Sequence, residues 1–295
     1  MHTFDLSELK KLYRPSKTSH KGMNGKLTII GGSHLFHGAS LWALKVASRI
    51  VDMVFYASVP ENNELTKKLK SELYDFIAIP REKIEEYITE SDVVLIGPGL
   101  AREDGRGEEE STKDLTERLL KKFPTKKWVI DAGSLTEMEP AWLKMLNGNV
   151  VVTPHGGEFE RLFPGVIARS EATRQSKKIA TSLDKLVTRD DIQIIAKKYN
   201  CIILLKGPTD IVCSPSKCVA VEGGNEGMTK GGTGDVLAGL VAALACKNDL
   251  FLAAKVGSYI NKKAGDMLYN KVGPYFNASD LADKIPAVMK ELLFW

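Results

Sequence analysis

Short apolar runs, each bounded by glycine, proline or polar residues, recur along the chain between stretches of helical periodicity. Lys26–Ile30, Met53–Ala57, Asp92–Ile96, Lys127–Ile130, Asn149–Val152 and Cys201–Leu205 read as strands, and most are followed by a helical pattern. Near-continuous apolar strands separated by helices predict a parallel sheet covered on both faces. The pattern changes late in the chain. Asp210–Cys213 and Lys217–Val221 flank a short Ser-Pro-Ser turn and predict an antiparallel hairpin. Helical stretches follow over Thr233–Cys246, Leu250–Tyr269 and Asp280–Leu293. No linker and no internal repeat interrupts the series. The Lys/Ser/Thr-rich stretch Arg169–Lys185 reads as a helical surface insertion, and residues 1–295 as a single α/β domain with a mostly parallel sheet.

Composition narrows the class without naming a function. Hydrophobic residues make up 43% and charged residues 26% of the chain, which excludes a disordered polypeptide. Lys and Arg total 41 against 37 Asp and Glu, a net charge of +4, which gives no electrostatic case for nucleic acid or a membrane surface. The longest apolar run, Leu240–Cys246, is far short of the ~20 residues a membrane helix needs. The N-terminal segment is charged from Asp5 onward and has no apolar core of a secretion signal. The four cysteines form neither a CxxC pair nor a Cys/His cluster, so structural zinc is not expected. Cys213 and Cys218 stand where they would face each other across the hairpin, but a reducing cytoplasm with four free thiols is the plainer expectation.

In an open parallel sheet, ligands gather at the carboxyl ends of the strands. That edge collects Gly31-Gly32-Ser33, Gly97-Pro98-Gly99, Asp131-Ala132-Gly133, Thr153-Pro154-His155 and Lys206-Gly207. One such loop is ordinary turn chemistry; five at equivalent ends predict one extended cleft. A denser signal runs from Gly223 to Gly239, where seven of 17 residues are glycine and an apolar helix begins. Backbone amides exposed at a helix N-terminus make an anion site. A helix cap by Thr233 or Asp235 would need few of these glycines. The loop is not a Walker A motif, and no GxGxxG is present.

Gly232-Thr233-Gly234-Asp235 at the start of a late helix is similar to the anion hole and aspartate of the ribokinase superfamily. The string GMTKGGTGDVLAG is more particular. With IIGGS and HGAS (Ile29–Ser33, His37–Ser40), LIGPGL (Leu95–Leu100), VIDAGSL (Val129–Leu135), TPHGGEFERL (Thr153–Leu162) and LLKGPTDIV (Leu204–Val212), it resembles the NAD(P)H-hydrate dehydratases. These carbohydrate-kinase-like enzymes repair nicotinamide cofactors hydrated at C6. The resemblance implies a ribokinase-like fold and a hydro-lyase that dehydrates the S epimer of NADH hydrate and NADPH hydrate. ADP would be consumed to AMP and phosphate with Mg²⁺ present, ATP being the alternative nucleotide. Eukaryotic members, which use ATP, tend to carry Gln where this chain has Thr233, so the resemblance leans towards ADP.

Carried over by position, Asp235 is the expected base that activates the C6 hydroxyl for attack on the terminal phosphoryl group. Amides around Gly232, Thr233 and Gly234 would steady the phosphoryl charge. Ala39, Gly99, His155 and Asp235 fall at substrate positions. Lys206, Gly207, Pro208, Thr209 and Asp210, with Gly234, match the adenine-nucleotide loop. Glu158 is the candidate for holding Mg²⁺ through water, and otherwise an acidic residue in a first helical turn. His34 and His37 read as plain loop residues, and Trp42, Trp128, Trp142 and Trp295 as packing residues. A homo-oligomer in the cytoplasm is expected.

The chain departs from the family's pattern at Arg49–Asp52, at Ala101 and at Gly156, which bears on loop geometry rather than on the reaction. Many relatives carry an N-terminal epimerase domain. The first strand here begins at Lys26, so that domain is expected to be absent and a separate epimerase to act upstream. Two other functions fit the same residues. A ribokinase-like kinase for a small alcohol or vitamin precursor would use the same Asp235 and anion hole, although sugar kinases of this class usually add a β-lid for which Gly31–Ser33 leaves no room. A nucleotide sensor without turnover would have no need of the aspartate.

Overall fold

The computed structural model describes residues 3–69, 74–101, 110–164 and 187–294. The strands are β1 (Lys26–Ile30), β2 (Met53–Ala57), β3 (Ile77–Ile79), β4 (Val93–Ile96), β5 (Lys127–Ile130), β6 (Val150–Val152), β7 (Ile202–Leu205), β8 (Asp210–Cys213) and β9 (Cys218–Val221). They form one sheet in the order β3-β2-β1-β4-β5-β6-β7-β8-β9. Every pairing from β3 to β7 is parallel; β8 runs antiparallel to β7, and β9 antiparallel to β8. All eight strands read from the sequence are present, with boundaries within one residue. The hairpin is present too.

Both faces are covered, as the apolar runs require. Successive residues of a strand feed opposite cores. Leu27 and Ile29 of β1 pack on one side and Ile30 on the other; Val93 and Leu95 of β4 face the first core, Val94 and Ile96 the second. The first layer holds α1 (His37–Ala47), α8 (Thr233–Ala245), α9 (Leu250–Val272) and α10 (Ala278–Leu293). The second holds α3 (Ile84–Glu90), α4 (Thr112–Lys122), α5 (Ala132–Glu137), α6 (Gly156–Leu162) and α7 (Arg189–Tyr199). The remaining helix, α2 (Pro60–Leu69), leads into the β3 edge.

Helix α8 is apolar all round because it is buried all round. It lies between α1, α9 and the sheet. Gly239 permits the α1 contact, since a Cβ there would come within 2.6 Å of the Ala43 Cα. This tight seat fixes where the N-terminus of α8 points.

Two features correct the sequence reading. Strand β3 was not anticipated; it is a three-residue edge strand in which only Ile79 is buried, too short to register as an apolar run. Four free thiols were expected, but Cys213 and Cys218 form a disulfide. They are direct partners in the β8–β9 ladder, with Cα atoms 4.1 Å apart. Cys201 and Cys246 are free and buried, and burial pushes the Cys201 thiol up to about 12. The expected insertion at Arg169–Lys185 and Trp295 lie outside the described residues. No helix among the described residues is long and apolar enough to cross a membrane.

Candidate active site

The chain enters the sheet at β1, builds outward to β3, then returns to the other side of β1 as β4. The carboxyl ends of β1 and β4 therefore form the switch point of a doubly wound sheet, the position at which such sheets bind ligands. Their two glycine loops interlock. The Gly32 amide donates to the Pro98 carbonyl at 2.8 Å, and a Cβ on Gly31 would sit 2.3 Å from that oxygen. Gly99 has φ +74°, and a Cβ there would lie 3.1 Å from the Cβ of Ala39. Ala39 and Gly99, both expected at the substrate, thus meet at this switch point.

Farther along the same edge lies a charged cluster. Asp131, at the end of β5, is almost fully buried; its Oδ1 accepts from Thr153 Oγ1 at 2.7 Å and from Lys206 Nζ at 2.9 Å. Lys206 follows β7 and also approaches Glu158 Oε2 at 3.8 Å. Burial would lower the lysine pKa, but Asp131, Glu158 and Asp235 around it hold it above the ordinary value. Gly97 makes this arrangement possible: at φ +122° it has no side chain, and a Cβ would overlap the Asp131 carbonyl.

Asp235 stands in the first turn of α8. Neither Thr233 nor Asp235 caps this helix. The N-cap is Gly232 in the left-handed region, with no side-chain hydrogen bond. The Thr233 hydroxyl faces back to the carbonyls of Met228 and Lys230 at 2.7 and 2.9 Å and ties the glycine-rich loop to the helix. The Gly234 amide has no acceptor among the described residues, which leaves the anion site expected at a helix N-terminus open. Burial, then the negative charges of Asp131 and Glu158, push the Asp235 carboxyl up to about 7, against the pull of Lys206. A carboxyl that titrates near neutrality beside an open amide can take a proton from an alcohol while the amide holds an anion.

A cavity of about 620 Å³ adjoins this helix end. Its walls include His155, Lys206, Gly207, Pro208, Asp210 and Gly234 from the expected set, and Met228 and Leu237 from the loop and helix. Of the expected nucleotide loop, Asp210 acts inwards. Its Oδ1 accepts from the Gly207 amide at 2.9 Å and its Oδ2 from Ser258 Oγ at 2.7 Å. Lys262 lies 3.4 Å from the same carboxylate and donates to the carbonyls of Gly207, Pro208 and Gly223. This brace fixes the Gly207–Pro208 turn against the Gly223 loop. The sequence did not single out Lys262, which sits on α9 with no local motif around it. Asp131 was visible only as one strand-end residue among many.

His155 is the N-cap of α6. Its Nδ1 accepts from the amides of Gly157 and Glu158, so the proton of the neutral ring sits on Nε2. Glu158 closes the capping box: its Oε2 accepts from the His155 amide at 2.9 Å. Glu158 therefore has a structural duty, and its other oxygen, Oε1, lies 3.5 Å from His155 Nε2. No group of three or more His, Cys, Asp or Glu that would hold a metal lies among the described residues. The donor set suits Mg²⁺ bound mainly by phosphate oxygens and water. His37 is not a plain loop residue: it opens α1, and its Nδ1 pairs with Asn62 Oδ1 at 3.0 Å.

The doubly wound sheet, the antiparallel strands at its end and the Gly-Asp helix start define a ribokinase-like protein. The fold is similar to that of a ribokinase-like superfamily protein from Enterococcus faecalis, at TM-score 0.79 and 21% identity over 99% of this chain and 96% of that one. An ADP/ATP-dependent NAD(P)H-hydrate dehydratase from Bacillus subtilis, co-crystallised with ATP and Mg²⁺, matches at TM-score 0.76 and 20% identity over 99% and 98%. The family model described as NAD(P)H-hydrate dehydratase matches residues 27–287, and the chain belongs to that family. An ADP-dependent (S)-NAD(P)H-hydrate dehydratase from Nitrosopumilus maritimus is 34% identical over 96% of this chain and 95% of its own length. The bifunctional NAD(P)H-hydrate repair enzyme Nnr of Methanocaldococcus jannaschii is also 34% identical, over 96% of this chain. The chain spans about half the length of that relative and of its counterpart from Archaeoglobus fulgidus.

Proposed function

We propose that this chain dehydrates the S epimer of NADH hydrate and NADPH hydrate, spending ADP and releasing AMP and phosphate. The observation that carries the reading is the start of α8: the open Gly234 amide lies in the cavity wall, and the next residue, Asp235, has a carboxyl that burial and neighbouring carboxylates push up to about 7. As carboxylate, it takes the proton of the C6 hydroxyl. The freed oxygen attacks the terminal phosphorus of ADP, and the bond to the AMP oxygen breaks. The Gly234 amide stabilises the charge on the transferring group. Phosphate then leaves C6 with the C–O electrons, helped by the ring nitrogen, and a proton lost from the neighbouring carbon restores the dihydropyridine. Mg²⁺ would neutralise phosphate charge, held by the nucleotide and, through water, by Glu158.

This reading puts nucleotide in the cavity between Gly207–Pro208 and the Gly223 loop, and the hydrated ring beside Ala39 and Gly99 at the β1–β4 switch point, with Asp235 acting on both. The reading includes a homo-oligomer in the cytoplasm, supplied with the S epimer by an epimerase. Incubating the purified protein with NADH hydrate, Mg²⁺ and either ADP or ATP tests it. Reduced-nicotinamide absorbance should return, faster with ADP, with AMP and phosphate formed in equal amounts. A stable phosphate ester of another alcohol, formed faster than NADH, would replace this reading with a kinase.

A further inference from the structure

Helix α9 presents two consecutive polar residues to the cavity, and they stand in opposite conditions. Lys262 is satisfied: its ammonium donates to the Gly207 carbonyl at 3.0 Å and to those of Pro208 and Gly223 at 3.1 Å each. Three donors is all a lysine has. Asn261 lines the same cavity and is only 4% exposed, yet its carboxamide makes no hydrogen bond with any described residue. Its buried Oδ1 is an orphan acceptor. Buried polar groups are almost always paired, and leaving one unpaired is costly. An unpaired amide in a cavity wall is therefore a group that a ligand completes.

The amide's chemistry limits the ligand. A carboxamide offers a donor and an acceptor side by side. The N6/N7 edge of adenine offers the complement, an amino donor beside the N7 acceptor, the pair that asparagine reads bidentately. Hypoxanthine and guanine carry an oxygen at C6, so both atoms of the matching edge are acceptors and Oδ1 would face an oxygen. Pro208, Met228 and Leu237 add the apolar surface a flat base needs, and the open Gly234 amide lies in the same cavity.

We propose that Asn261 reads the base of the bound nucleotide and selects adenine over 6-oxopurines. This rests on the assignment of the cavity to a nucleotide. Asp210 and Lys262 share the wall but spend their polar atoms on each other and on the loop; Asn261 keeps its own for the ligand.

Calorimetric titration of ADP and inosine diphosphate into wild type and Asn261→Leu tests the proposal without any turnover. Wild type should bind ADP roughly tenfold or more tightly than inosine diphosphate. Asn261→Leu should lose that preference by weakening ADP alone. Leucine has a similar volume and no polar atoms, so the ligand-free variant should melt no lower than wild type. A second probe needs no variant: purine-riboside diphosphate, which lacks the N6 amino group, should bind wild type about as weakly as inosine diphosphate. The proposal is overturned if wild type does not distinguish these nucleotides, if Asn261→Leu keeps the preference, or if it loses both ligands equally. ADP that binds selectively but drives no dehydration would sink the dehydratase reading and leave this one standing. Dehydration driven equally by ADP and inosine diphosphate would do the reverse.

Discussion

Lys206 Nζ lies 2.9 Å from Asp131 Oδ1, joining the carboxyl end of β7 to that of β5 across β6. The pair sits beside Asp235 and sets its proton affinity from both sides: Asp131 raises it and Lys206 lowers it.

The rate should report that balance. On the proposed mechanism the ionised form of Asp235 is the active one, so kcat/KM should climb with pH and level off above about 7. Asp131→Asn removes a repelling charge and frees Lys206 to attract Asp235. The midpoint should then move to lower pH by about one unit. A pH–rate profile for each protein is the measurement, and an unmoved midpoint would separate Asp131 from the base.

Asp235→Asn should lose about 10²–10⁴ in turnover while still binding ADP. Its stability should change in the opposite sense. The folded-state pKa of about 7 lies above the ordinary aspartate value of 3.8, so the folded protein holds more protons than the unfolded chain between those values. Stability from this group is full below pH 3.8 and falls as pH rises to about 7. Asparagine carries no charge to bury, so the variant should melt above wild type at pH 8 and lose that advantage in acid. A lower melting temperature at pH 8 contradicts the burial cost assigned to Asp235.

The two ends of the cleft should be separable. Ala39→Trp puts a bulky side chain where Ala39 meets Gly99, the place proposed for the hydrated cofactor, and should weaken its binding with ADP affinity nearly unchanged. Gly207→Trp, in the cavity proposed for the nucleotide, should do the reverse. Titration of each ligand into each variant decides this, with thermal melts to show that both fold. Equal loss of both ligands in both folded variants would refute the two-site arrangement.

The disulfide is countable. Unfolded in denaturant without reductant, the chain should titrate two thiols, Cys201 and Cys246, and four after reduction. Four thiols before reduction would remove the Cys213–Cys218 bond. Breaking it by Cys213→Ser should cost about 2 kcal/mol, the small closure entropy of a short loop.

The strands were legible because each is apolar on both faces, which only a doubly covered sheet demands, and the cleft because glycine-rich loops recur at their carboxyl ends. The Gly232–Asp235 start of α8 was legible as well, since glycines that free backbone amides leave a mark in any sequence. None of that reaches residues whose roles depend on distant partners. Edge strand β3 exists because β2 offers it hydrogen bonds, not because Ile77–Ile79 has a pattern of its own. Cys213 and Cys218 pair because the register of β8 and β9 sets them opposite each other. Lys262 braces a turn about 55 residues away in sequence, and the neighbouring Asn261 is orphaned by what fails to surround it. The sequence by itself determined the eight apolar strands, the helical stretches and the loop that holds Asp235. The proton affinity of that aspartate was decided only by the tertiary structure, because burial and the charges of Asp131, Glu158 and Lys206 act through space on a group that the chain alone leaves an ordinary carboxylic acid.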